Sequence, residues 1–166
     1  MTSSTNNSSN PAFVITFVCT GNICRSPMAE VICTSVLEDE GLSHAIRANS
    51  CGTGGWHVGQ GADSRAIAEL RASGYDGTHH RASQLGEQHR SSDLLIALDS
   101  SHRNALLRMG YPAEKVRLLQ SFNPDSHTPD VADPYYGTAA DFKTTRCDIE
   151  AAMPGLMAWL REAIHA

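Results

Sequence analysis

Basic residues are the minority charge in this sequence: thirteen Lys and Arg stand against eighteen Asp and Glu, for a formal net charge of -5. That balance supplies no broad positive field to hold nucleic acid or an anionic membrane, so any affinity for phosphate has to be local. Long apolar runs are missing too, and no stretch reaches the length needed to span a bilayer. Residues 1–10 are rich in Ser, Thr and Asn and hold no Lys or Arg, so they read as a flexible tail and not as a secretory leader, whose start is basic. This points to a cytoplasmic protein, with export by a leaderless route left open. The five cysteines, Cys19, Cys24, Cys33, Cys51 and Cys147, form no CxxC pair. Their odd number, with no secretory context, argues against a disulfide framework or a structural zinc site. The histidines show no HxxxH spacing, so neither a metal nor another cofactor is expected.

The 166 residues, 41% of them hydrophobic and 19% charged, suit one globular domain with its own core. A β-branched and aromatic run over residues 13–18 ends in the turn-forming Cys19-Thr20-Gly21-Asn22. Ser26-Pro27 then opens a helix predicted over residues 28–40 and stopped by Gly41. Further strands are predicted over residues 46–50, 94–98 and 116–119. Helices are predicted from Asp63 to about Ser73, over residues 101–108, and from about Asp141 with an interruption at Pro154-Gly155. Alternating strands and helices imply an α/β domain over residues 12–166, behind a tail over 1–11. Its sheet would be small, parallel, twisted and four-stranded, with helices on both faces. Ligands of such sheets bind beyond the carboxyl ends of the strands, which directs attention to the loop after the first strand.

That loop reads Cys19-Thr20-Gly21-Asn22-Ile23-Cys24-Arg25-Ser26-Pro27. The backbone N–H groups of a tight turn entering a helix converge into an anion-binding nest. Gly21 and Asn22 tolerate the left-handed backbone such a nest requires. Arg25 supplies a planar fork for two oxygens of a tetrahedral anion. Cys19 lies in the same positive field, which favours thiolate over thiol. A phosphoryl dianion held there would sit in line for attack by that sulfur. Ser26 could donate its hydroxyl to the Cys19 sulfur or act as a plain helix cap. Cys19 alone would read as a small buried hydrophobe; together with Arg25 and the turn it reads as a nucleophile. No Walker loop is present, and the glycines between Gly52 and Gly61 do not follow GxGxxG; they read as turns shaping a rim. Thiolate attack on a phosphate ester also calls for an acid to protonate the leaving group. Asp125, Asp130, Asp133 and Asp141 all lie in the late polar segment, and residue types alone do not choose among them.

The signature loop resembles that of the low-molecular-weight protein tyrosine phosphatases, bacterial type. The resemblance extends to Ser50 with Gly52-Thr53, Trp56-His57-Val58-Gly59, His80-Arg81-Ala82-Ser83-Gln84 and Asp133-Pro134-Tyr135-Tyr136. It implies Cys19, Arg25 and Asp133 as catalytic residues, with Asp133 the general acid. Thr20, Gly21, Asn22, Ile23, Cys24 and Ser26 would then complete the phosphate loop, supported by Ser50 and His80. Trp56, Tyr135 and Tyr136 would wall a slot for an aryl phosphate. Ile23 matches the tyrosine-directed members, whereas relatives acting on phosphoarginine carry Thr there. Cys24 is either a redox partner of Cys19 or a small residue facing away from the anion, and Cys33 and Cys147 read as core filler. The implied substrate is a phosphotyrosine-containing protein. Inorganic phosphate would be product, other oxyanions inhibitors, and the chain a monomer or weak dimer. Two other functions fit the same loop. Thiol-dependent arsenate reduction needs a relay of further cysteines, and none lies between Cys51 and Cys147. A module that only recognises phosphate would need neither the thiol nor the acid.

Overall fold

A computed structural model describes residues 12–165; the tail predicted over residues 1–11 lies outside them. The run that begins at Phe13 forms β1 (Phe13–Cys19), fully buried from Ile15 onward. It pairs in parallel with β2 (Ile46–Gly52) and with β3 (Leu94–Ala97), and β3 pairs in parallel with β4 (Val116–Leu118). The order is β2-β1-β3-β4, the four-stranded parallel sheet expected. The chain leaves β1 towards one edge and returns on its other side as β3, so the carboxyl end of β1 is a topological switch point.

Side chains alternate across the sheet. Ile15 and Phe17 of β1, with Leu94 and Ile96 of β3, join a core formed with α1 (Arg25–Asp39), α2 (Ser64–Ala72) and α4 (Ala139–His165). Val18, Leu95 and Ala97 face the other way, against Leu106 of α3 (Ser100–Arg108). Helices therefore cover both faces.

Three differences from the predicted elements bear on the site and the core. First, α1 begins at Arg25 instead of residue 28. The loop after β1 winds straight into it, with Met28 N–H donating to the Cys24 carbonyl at 3.2 Å, and Pro27 sits in the first turn, where a missing N–H costs nothing. Second, β2 runs on to Gly52, so that Cys51 and Gly52 pair with Val18 and Cys19. A Cβ on Gly52 would lie 2.6 Å from the Thr20 carbonyl oxygen, so only glycine lets β2 approach the loop this closely. Third, α4 is continuous through Pro154. Burial of Met153, Leu156, Met157 and Leu160 around it outweighs the roughly 3 kcal/mol that an interior proline costs a helix. Gly155 lies against the Phe122 backbone, where a Cβ would fall 2.0 Å from its carbonyl oxygen. The expectation for Cys147 also needs correction: it is exposed. The buried stripe of α4 passes through Phe142, Thr145, Ile149 and Ala152, and Cys147 lies off it.

Candidate active site

At the end of β1 the chain turns sharply. Outward, its carbonyls are tied down. Thr53 N–H donates to Cys19 O and Gly54 N–H to Thr20 O, both at 2.9 Å, while Asp63 N–H donates to Ile23 O at 2.8 Å. Among the described residues, the N–H groups of Gly21, Asn22, Ile23 and Cys24 donate to no protein acceptor. Carbonyls held outward and N–H groups left free make the turn an anion nest. The one left-handed residue is Asn22, with φ 58°. Gly21 does not share that conformation; its missing Cβ instead leaves room for His57, whose Cδ2 would lie 3.1 Å away.

Asn22 is buried, and each end of its side chain is engaged. Its Nδ2 donates to Ser26 Oγ at 2.8 Å and Ser50 Oγ at 3.0 Å, and its Oδ1 accepts from Ser83 N–H at 2.9 Å. His80 Nε2 lies 2.7 Å from the Asn22 carbonyl, and Ser50 Oγ donates to Glu30 at 2.6 Å. These contacts offset the roughly 1–2 kcal/mol that left-handed backbone costs a residue with a Cβ. Ser50 and His80 thus sit behind the loop.

Cys19 is 3% exposed, and its Sγ lies 2.9 Å from Ser26 Oγ. Arg25 is equally buried and rigidly held. Both hydrogens of one terminal nitrogen are engaged, by Asp99 at 2.8 Å and the Val131 carbonyl at 2.9 Å. Its other terminal nitrogen lies 3.6 Å from Asp133 Oδ2. That nitrogen and Nε remain to meet an anion. Burial opposes the charge of Asp99, but hydrogen bonds from Ser101 and Arg25 prevail and bring its pKa down to about 2. Burial brings His102 down to about 4, so it is neutral at pH 7. Its Nδ1 accepts from Asp99 N–H at 3.2 Å, which leaves Nε2–H to donate to Thr20 Oγ1 at 2.8 Å.

Asp133 belongs to the segment between Val131 and α4. Its Oδ1 accepts from Tyr135 N–H at 3.0 Å, and Gly137 N–H closes a turn on Pro134 O at 2.9 Å. Cys19, Thr20, Gly21, Ile23, Cys24, Arg25, Trp56, Asp133, Tyr135 and Tyr136 line one cavity of about 340 Å³. Asn22, Ser26, Ser50 and His80 buttress it from behind. Trp56 and Tyr136 are 73% and 92% exposed, a rim and not a core, and the Tyr135 and Tyr136 rings meet edge to face at 4.9 Å. Cys24 is buried, and burial pushes its thiol up to about 12. Among the described residues no cluster of His, Cys, Asp and Glu is arranged to hold a metal ion, and no helix is long and apolar enough to cross a membrane.

The sequence reading missed several members of the site: Glu30, His57, Asp63, Arg65, Asp99 and His102. Asp99 had a usable signal, since it follows the third strand at the carboxyl end where ligand-binding groups collect. Asp63 was visible only as the start of a predicted helix; its N–H bond to Ile23 depends on how α2 docks.

A family model described as low molecular weight phosphotyrosine protein phosphatase matches residues 14–166. Low molecular weight protein-tyrosine phosphatase A of Mycobacterium tuberculosis is 52% identical over 152 residues, covering 90% of this chain and 93% of that one. A low molecular weight protein-tyrosine-phosphatase of Streptomyces coelicolor is 47% identical over 157 residues, covering 91% and 95%. Among solved structures, a protein tyrosine phosphatase of Entamoeba histolytica, with Hepes in its active site, superposes with a TM-score of 0.87 at 30% identity, covering 92% and 99% of the two chains. The arginine phosphatase YwlE, in a variant with a phosphorylated active-site serine, does so at 0.79 and 33% identity, covering 89% and 95%. With its nest, buried thiol, clamped arginine and facing carboxylate, this chain belongs to the low-molecular-weight phosphotyrosine protein phosphatase family.

Proposed function

We propose that the protein hydrolyses phosphotyrosine in proteins, with Cys19 as nucleophile, Arg25 and the loop N–H groups as phosphoryl binders, and Asp133 as general acid and then base. The observation that carries this reading is the opposition across one cavity of a buried sulfur beside Ser26 Oγ and a carboxylate 3.6 Å from Arg25. In the first step the Cys19 sulfur attacks phosphorus, an S–P bond forms, the P–O bond to the tyrosyl oxygen breaks, and Asp133 gives that oxygen its proton. In the second, Asp133 takes a proton from water as the water oxygen attacks phosphorus. The S–P bond breaks, phosphate leaves, and Ser26 Oγ–H stabilises the departing thiolate. Arg25 and the free N–H groups act on the charge spread over the equatorial oxygens through both steps.

The walls favour an aryl ester. Ile23, Trp56 and Tyr135 present apolar or aromatic surface to the cavity, which suits a phenyl ring. The thiol relay of an arsenate reductase is disfavoured by the other cysteines: Cys33 and Cys51 are fully buried and burial raises both thiols, while Cys147 lies on α4 and does not line the cavity. Hydrolysis of p-nitrophenyl phosphate in EDTA tests the reading. Wild type should turn over without added metal, Cys19→Ser should be inactive, and Asp133→Ala should lose about 10²–10⁴ in kcat, because water attack on the phosphoenzyme then lacks its base. Activity of Cys19→Ser equal to wild type would overturn it.

A further inference from the structure

We propose that Arg65 is a positioning residue for the general acid, setting the distance between the Asp133 loop and the phosphate nest; this rests on the role given above to Asp133. Arg65 lies on α2, outside the cavity wall, and touches neither Cys19 nor the phosphoryl site. What it holds is the loop. Its two terminal nitrogens donate to the Tyr135 carbonyl at 2.9 Å and the Gly137 carbonyl at 3.2 Å. Its guanidinium lies 5.7 Å from the centre of the Tyr135 ring and 4.6 Å from that of Phe142 at the start of α4. Among the described residues, no other side chain from outside residues 132–137 donates a hydrogen bond to that segment.

The other end of this connection reaches the nest. Asp63 grips the Arg65 guanidinium with both oxygens, at 3.0 Å from Nε and 2.9 Å from a terminal nitrogen. Asp63 also caps α2 by accepting from Arg65 N–H at 2.8 Å. The backbone N–H of the same Asp63 donates to the Ile23 carbonyl of the phosphate loop at 2.8 Å. A continuous series of hydrogen bonds therefore runs from Ile23 through Asp63 and Arg65 to the carbonyls two and four residues after Asp133. The planar fork makes this possible, since one guanidinium meets a carboxylate on one edge and two carbonyls on the other. Asp133 itself is 47% exposed and bonded only within its own turn and, at 3.6 Å, opposite Arg25. Its height over the nest is thus set by the Arg65 strut, and misplacement of a catalytic group by about 1 Å can cost on the order of 10²-fold.

A leaving group that needs its proton reads this role directly. In Arg65→Met, kcat/KM for phenyl phosphate, a poor leaving group, should fall about 10- to 100-fold. For p-nitrophenyl phosphate, which leaves with little protonation, it should fall less than about 3-fold. Arg65→Lys, which keeps one donor nitrogen and the charge, should recover part of the phenyl phosphate rate and guards against a folding defect in the Met variant. In an Asp133→Ala background, either substitution should change nothing further, because there is no acid left to position. Equal losses on both substrates, undiminished losses in the Asp133→Ala background, or no loss at all would each overturn the proposal. Failure of the underlying reading shows separately: Asp133→Ala with wild-type residues elsewhere would then lose equally on both esters.

Discussion

Cys19 and Asp133 face each other across one cavity, yet Cys19 is 3% exposed and the Asp133 side chain 47%. The loops that carry them differ in the same sense. Around Cys19, outward carbonyls, the Asn22 amide, Ser26, Ser50, Ser83 and His80 are joined in a buried network. Around Asp133 there are two local turns and the bonds from Arg65. A nest must be rigid before the anion arrives, because its value lies in dipoles that need no reorganisation. An acid must instead reach an oxygen whose position depends on the substrate, and then turn to water. On the proposed assignment, binding and nucleophilic attack are built into the core here, whereas proton transfer is hung on the surface.

That difference can be broken at several points, the strongest first. Cys19→Ser should lower kcat on the order of 10⁴-fold or more while retaining phosphate binding, measured by calorimetry. Asp133→Ala should lower kcat/KM for phenyl phosphate by about 10²–10⁴, yet change the unfolding free energy by no more than about 0.5 kcal/mol, as expected for an exposed site. Asn22→Ala should do the reverse in kind. It removes buried hydrogen bonds and places alanine at φ 58°, so urea unfolding should show a loss of about 2–4 kcal/mol, with a smaller, roughly 10²-fold, loss of activity.

The smallest effect concerns pH. Burial lowers His102 from about 6.5 to about 4, so the unfolded chain binds its proton at a higher pH than the native one. Stability attached to this histidine is complete above pH 6.5 and declines as pH falls from there towards 4. Urea melts should show a loss of about 2 kcal/mol over that window, and His102→Asn should flatten it. Asp99, lowered from 3.8 to about 2, adds a second decline only below pH 3.8.

The same contrast explains what could be read from residue types. The strand that ends in Cys19, the turn, and Arg25 at the mouth of a helix are local, and their chemistry is visible within residues 13–25. Asp133 was legible only through a family resemblance, because an Asp-Pro in a polar segment has no local feature that sets it apart from Asp125 or Asp130. The Asp99 clamp on Arg25 and the Arg65 strut could not be read at all, since their partners are 74 and 72 residues away in sequence and meet only when α2, α3 and the segment before α4 dock. Where a local rule met a tertiary contact, the contact prevailed: Pro154 did not end α4, and Gly21 served clearance for His57 and not a left-handed turn.

The central claim is that the buried Cys19 sulfur receives the phosphoryl group. Acid quenching of the Asp133→Ala enzyme during turnover of p-nitrophenyl phosphate, followed by mass spectrometry of its peptides, tests this most directly. The expected result is a phosphoryl adduct on Cys19 that accumulates because hydrolysis is slow. Turnover with no adduct on Cys19, or with the adduct on another residue, would contradict it.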